Sequence, residues 1–330
     1  MDKVKMALVL FFFLLLLSCQ RLNHSPKAPA IRPNTLRYAL AINPITFDPA
    51  VAQDNDTLDL MQQIYENLVT LSKDAVILPK LARKWTVSAD GKTYLFYLKR
   101  GVKFHNGREM TAADVKWTFE RSTNPKLASP TVENYLNNIC GVAEKVKGQA
   151  LSVSGVQVVD PYIIRIQLKK RCPYFLGKLT YPVSAILPRE GVPFDHPIND
   201  SLQVIGTGPF YLSKYLPYQG VSLKAFSNYH EGAPKIDGIE RPIIQDSFTR
   251  LNKYRSGQLD FVTIDRRNLP KILENPRWRK ELRFHRRPSL FSSETFPFPQ
   301  PPAVINTPAK ANPIHPFNFF FSIQPPFYKI

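Results

Sequence analysis

Residues 78–121, LPKLARKWTVSADGKTYLFYLKRGVKFHNGREMTAADVKWTFER, constrain the fold more than any other stretch. Ala89-Asp90-Gly91-Lys92 predicts a turn, because Gly91 can take positive φ and Asp90 can bond its own backbone. Thr93 to Leu98 is dense in aromatic and apolar residues, as in a strand buried on both faces. Asn106-Gly107 marks a second turn. Thr111 opens a helix: its hydroxyl can accept from a free backbone N–H, and Asp114 lies at the positive end of the helix dipole. Val115 and Phe119 follow at i, i+4 and set a buried stripe. Strand, turn, strand, turn and helix together predict a mixed α/β body.

The N-terminus bears on the compartment. Lys3 and Lys5 precede an apolar run, Ala7 to Leu17, too short to span a bilayer as an ordinary helix. The run ends in Leu16-Leu17-Ser18-Cys19, which resembles a bacterial lipobox. The resemblance implies a lipoprotein signal peptide over 1–19, lipidation of Cys19, export and a membrane anchor through acyl chains. Residues 20–34 are polar and proline-bearing and predict a tether. Gln20 leaves either membrane face of the cell envelope open.

The net charge is +18. Such a charge suits an anionic membrane surface or nucleic acid. The basic residues read as scattered, however, and no nucleic-acid motif accompanies them, so a generally basic solvated surface is expected and no nucleic-acid partner. Export permits a Cys140–Cys172 disulfide, but spacing fixes no geometry, and free thiols fit equally. The histidines lack metal-ligand spacing, and no nucleophile–base constellation is apparent, so neither a metal site, a cofactor nor an enzyme is expected.

The 78–121 stretch also resembles the signature of the extracytoplasmic solute-binding proteins, family 5, which serve peptide-type ABC transporters. The resemblance rests on Leu81-Ala82, Trp85, Ser88-Ala89-Asp90-Gly91, Tyr94-Leu95-Phe96, Gly101-Val102-Lys103-Phe104-His105-Asn106-Gly107 and Thr111-Ala112-Ala113-Asp114-Val115. Further on, Tyr65-Glu66-Asn67-Leu68 and Gly206-Thr207-Gly208-Pro209-Phe210-Tyr211 resemble two more family elements, while Asn228-Tyr229-His230 departs from a third by lacking its proline and carrying His230 for tryptophan. The resemblance implies a periplasmic binding protein type II-like "flytrap" of two α/β lobes that clamp an extended peptide. It places Pro44, Ile45 and Thr46, Tyr135, and Gly206, Thr207, Gly208 and Pro209 at the ligand. Pro44 has no N–H to offer a peptide.

Similarity runs from about Leu36 to Phe284. The implied organisation is a large-lobe part at 35–59 and 183–265, a small lobe at 60–182, and the start of a third region at 266–287. Residues 288–330 are rich in Pro and Phe, and their prolines predict that no regular element forms there. The second large lobe of the family is missing from this pattern, so the flytrap reads as incomplete and C-terminally truncated. Two functions follow. One is an extracytoplasmic lipoprotein that delivers oligopeptides to the permease subunits of an ABC transporter. The other is a truncated or frameshifted remnant that binds no solute, or a surface interaction protein.

Overall fold

A computed structural model describes residues 34–72, 74–265, 268–288 and 317–323. The expected signal peptide with Cys19, most of the expected tether and most of the Pro/Phe-rich tail lie outside the described residues.

In chain order the elements are β1 (Thr35–Arg37), α1 (Asn55–Ile64), β2 (Val69–Leu71), β3 (Ile77–Pro79), β4 (Ala82–Val87), β5 (Thr93–Leu98), α2 (Ala112–Ser122), α3 (Val132–Leu136), α4 (Val142–Val146), β6 (Val156–Asp160), β7 (Ile163–Gln167) and α5 (Phe175–Lys178). There follow β8 (Phe210–Leu216), β9 (Gly220–Ala225), β10 (Gly238–Pro242), α6 (Ser247–Arg255), β11 (Val262–Ile264), α7 (Leu269–Glu274), α8 (Pro276–Glu281), β12 (Leu282–Pro288) and β13 (Phe317–Ile323).

The 78–121 unit folds largely as its residues dictate. Gly91 takes φ 69°, and Asp90 accepts the Lys92 N–H at 3.0 Å. In β5, Tyr94, Phe96 and Leu98 are buried while Thr93, Leu95 and Tyr97 are half-buried. The strand therefore buries one face, not both. Asp114 accepts the Thr111 N–H at 2.8 Å, and the Thr111 hydroxyl donates to Asp114 at 3.2 Å. Arg108 completes the cap by donating to Asp114 at 2.6 Å. The cap of α1 is Asp54, which accepts the Thr57 N–H at 2.8 Å. Asp56, in the first turn of α1, instead accepts the backbone N–H groups of Ala41 and Ile42.

Two main sheets each build one core. The antiparallel sheet β4-β5-β7-β6 carries Phe96, Ile164 and Ile166 inward against Val115 and Phe119 of α2. The sheet β1-β10-β9-β8 is antiparallel except for β1, which pairs parallel to β10 with Thr35 opposite Gly238. Its core holds Val221, Leu223 and Ile239 together with Leu60, Met61 and Ile64 of α1. Leu60, Met61 and Ile64 of α1 all lie in this second core, so α1 belongs to it. The chain enters the first core near Leu68 and leaves it near Ile186, a helix later than the expected entry at residue 60. Cys140 and Cys172 are free thiols.

A third sheet, β11-β13-β12, is antiparallel, with β13 between its neighbours. β13 corrects the expectation that prolines exclude every element from 288–330: Phe317–Ile323 is a proline-free run that pairs along its length with β12. No described helix is long and apolar enough to cross a membrane.

Candidate functional site

The segment from Asn43 to Ala50 leaves the β1 region as an irregular loop whose base is pinned. Asp48 and Arg121 are both fully buried and ion-paired. Asp48 also accepts from Ala50 N at 2.9 Å and Ile198 N at 3.0 Å, while Arg121 donates further to the carbonyls of Pro193 and His196. A buried pair with its remaining donors and acceptors occupied is held in one geometry. Above this base the loop opens outward. Ile45 is 84% exposed, and its N–H and C=O make no hydrogen bond among the described residues. The Tyr215 hydroxyl and the Tyr218 N–H both donate to Asn43 Oδ1, at 3.1 and 2.8 Å, and fix the approach to Pro44.

Tyr65 joins this loop to the Gly206–Pro209 strap. Its hydroxyl donates to the Phe47 carbonyl at 2.9 Å. Burial, with the charge of Asp48, pushes that hydroxyl well above the usual tyrosine range, so it remains a donor. The strap lies against the carboxyl end of α1: Gly208 N donates to the Ile64 carbonyl at 2.9 Å. A Cβ on Gly206 would come within 2.0 Å of the Ile64 oxygen, and one on Gly208 within 2.5 Å of the Gln63 oxygen. Both glycines are therefore required by close backbone approach. Thr207 is fully buried, and its hydroxyl has no partner among the described residues.

His105, at the Phe104–Gly107 turn, stitches the strap to the first core. Its N–H donates to the Gly206 carbonyl at 2.9 Å. Its Nδ1 accepts the Gly206 N–H at 3.2 Å, and its Nε2 lies 3.0 Å from the Gly208 carbonyl. This assigns the ring proton to Nε2, which donates to Gly208. Burial lowers the His105 pKa to about 4, against the Gly208 contact and the Glu66 charge, which raise it.

A polar network lies beside the strap. Glu66 follows α1 and accepts from the Tyr229 hydroxyl at 2.6 Å; its other oxygen lies 2.9 Å from His230 Nε2. Lys80, between β3 and β4, reaches Glu66 at 3.1 Å and Glu231 at 2.7 Å, and Lys99 reaches Glu231 at 2.9 Å. Burial works to raise the Glu66 carboxyl, but His230, Lys80 and Tyr229 together hold it below the usual carboxylate range. Burial likewise opposes ionisation of Glu231, yet its two lysines bring it down to about 2. His230, which departs from the family pattern, is thus built into the junction between the cores.

The structure brings some of the expected site residues together. Ile45 is exposed, Thr46 and Pro209 are half-buried, and Pro44, Gly206, Thr207 and Gly208 are buried. The loop and the strap share Tyr65 as a neighbour. Tyr135 stands in the first core, stacked on Tyr181 with ring centroids 3.7 Å apart. Sequence reasoning did not single out the roles of Asp48, Arg121, Tyr65 and His105. His105 lay inside the signature, but nothing in its spacing announced a partner about a hundred residues away.

Comparison with known families matches residues 76–291 to the bacterial extracellular solute-binding proteins, family 5 Middle. The chain belongs to this family. Among family 5 relatives, the glutathione-binding protein GsiB of Salmonella choleraesuis is 30% identical over 235 residues, covering 71% of this chain and 43% of the relative. The dipeptide-binding protein of Escherichia coli K12 is 30% identical over 246 residues, covering 70% of this chain and 45% of the relative. The substrate-binding domain of an oligopeptide ABC transporter from Bacillus anthracis superposes with TM-score 0.70 at 25% identity, covering 77% of this chain and 49% of that one. The Escherichia coli murein tripeptide binding protein MppA shares the fold, with TM-score 0.71 at 21% identity. The chain spans under half the length of the two relatives named and about half that of the solved structures.

Proposed function

We propose that this chain is an extracytoplasmic, lipid-anchored peptide-binding component of an ABC transporter, and that its 44–46 loop and 206–209 strap form one wall of the peptide site. The observation that carries the reading is the Ile45 backbone: an N–H and a C=O left unpaired on an exposed loop whose base is locked by Asp48 and Arg121. Such groups can pair with an extended peptide as an added strand does, which gives affinity through the main chain and tolerance of varied side chains. Oligopeptides are the ligand class, and permease subunits the partners that would receive them.

Calorimetry with a short-peptide library tests the wall. Ile45→Pro removes the donor, while Ile45→Ala keeps it. The expected result is binding by the parent and by Ile45→Ala, weakened about tenfold or more in Ile45→Pro, the scale of a lost hydrogen bond whose partner stays buried. An absence of peptide binding, or equal binding by all three, overturns the reading. The anchor is tested separately: Cys19→Ser is expected to abolish acyl labelling, and unchanged labelling refutes lipidation at that residue.

A further inference from the structure

Charge is unevenly placed along this chain. Residues 68–186, the first-core segment, hold nineteen Lys and Arg against eight Asp and Glu, so more than half of the net +18 sits there. The basic residues are therefore less scattered than they read at first. Because β5 turns Tyr94, Phe96 and Leu98 inward, Leu95 and Tyr97 lie on the opposite, outer face of the sheet. Strand register sets Leu95 between Thr86 and Arg165, and Tyr97 between Lys84 and Ile163. Beside this row opens a cavity of about 370 Å³, whose lining includes Arg83, Tyr97, Arg100, Asp160 and Tyr162.

The cations here are held over rings. Arg100 lies 4.2 Å from the Tyr162 ring centroid, Lys84 lies 4.8 Å from that of Tyr97, and Arg83 lies 5.9 Å from the same ring. Arg83, Lys84, Arg100 and Arg165 are exposed, and none makes an ion pair among the described residues. Asp160, the carboxylate in the cavity wall, accepts the Tyr162 N–H at 3.0 Å. Glu109, nearby, is bonded to Gly101 N and to the Tyr162 hydroxyl. The face thus presents exposed cations that form no ion pair among the described residues, set around a half-buried centre of Leu95, Tyr97 and Ile163.

An apolar and aromatic centre ringed by cations matches a bilayer boundary. Tyrosine there sets an apolar body inward and a polar tip outward, and Lys and Arg extend their stems to reach phosphates. A nucleic acid would instead call for a basic stripe following its backbone. We propose that the outer face of the β4-β5-β7-β6 sheet docks on an anionic phospholipid bilayer, with the Arg83–Arg100 cavity taking a headgroup phosphate.

The test is vesicle co-sedimentation of the full chain on phosphatidylcholine vesicles with and without phosphatidylglycerol. Any N-terminal acyl anchor binds both, so the ratio between them isolates the face. Each cation near an anionic surface strengthens binding about fivefold, so the parent is expected to prefer the anionic vesicles by about tenfold or more, less at high salt. Arg83→Ser with Arg100→Ser should lower that ratio by about tenfold or more. Arg83→Lys with Arg100→Lys should keep it, since a bilayer reads charge. Lys147→Ser with Lys224→Ser removes the same charge elsewhere and should also keep it. Four outcomes overturn the proposal. They are no preference in the parent, equal loss in the Lys147/Lys224 variant, full displacement by millimolar glycerol phosphate, which marks a free-phosphate site, and tighter binding to duplex DNA than to vesicles.

Discussion

His105 makes the junction between the cores acid-sensitive, and the size of the effect can be worked out. The ring is neutral in the fold: Gly206 N–H donates to Nδ1, and Nε2 donates to the Gly208 carbonyl. A second proton on Nδ1 would set two N–H groups face to face. The ordinary histidine pKa is 6.5, and burial brings that of His105 down to about 4. The folded state therefore binds the proton less readily than the unfolded chain. Stability from this group is present above the unfolded value and is lost as pH falls towards the folded one. Linkage gives a loss of about 2 kcal/mol by about pH 5 and about 3 kcal/mol by about pH 4. Urea unfolding of the parent and of His105→Gln across this range isolates the term. Glu231 also loses stabilising interactions as it protonates, but does so in both proteins and cancels in the difference, and Glu66 cancels apart from its weak coupling to His105. The variant is expected to start less stable near neutrality, by about 1–2 kcal/mol for imperfectly replaced hydrogen bonds, and to close that gap on acidification. Parallel pH profiles for the two proteins would refute the assignment of a neutral, buried His105.

Two further perturbations address the pinned loop and the strap. Arg121→Met leaves Asp48 buried and unpaired and should cost about 3–5 kcal/mol in urea unfolding, whereas adding Asp48→Asn should restore part of that loss. A cost below about 1 kcal/mol would show that the pair is dispensable. Gly208→Ala forces a Cβ against the Gln63 carbonyl and should destabilise by about 1–3 kcal/mol, seen as a lower Tm; an unchanged Tm would mean that the strap yields freely.

What the sequence disclosed follows range. The Asp90-Gly91 turn and the Asp114 cap of α2 are set by neighbours within a few residues, and each appears where its pattern points. Asp56 shows where local reasoning stops. It is a sound cap residue by composition, but its carboxylate is taken by Ala41 and Ile42, and Asp54 caps instead. The β5 alternation was hidden by composition, since Leu95 and Tyr97 are as apolar as their inward neighbours. The candidate site elements stand out as motifs, yet the contacts that join them do not. Asp48 meets Arg121 across 73 residues, and His105 meets Gly208 across 103. Nothing in the spacing of either pair distinguishes it from many others.

The parallel pairing of β1 with β10 also governs the order in which the chain can fold. Thr35 finds its partner only at Gly238, about two hundred residues later. Residues 68–186 form a nearly continuous core from contacts within that stretch, so this core can close while the rest is still being made. The second sheet cannot gain its edge strand until β10 exists. Closing so long a loop adds little to the entropic cost, which grows only with the logarithm of length, but contacts this distant slow folding. Throughout that wait α1 has its partners Val221, Leu223 and Ile239 still to come. Its Leu60, Met61 and Ile64 face is thus left open to aggregation until those partners arrive, and is a segment a holding chaperone would cover.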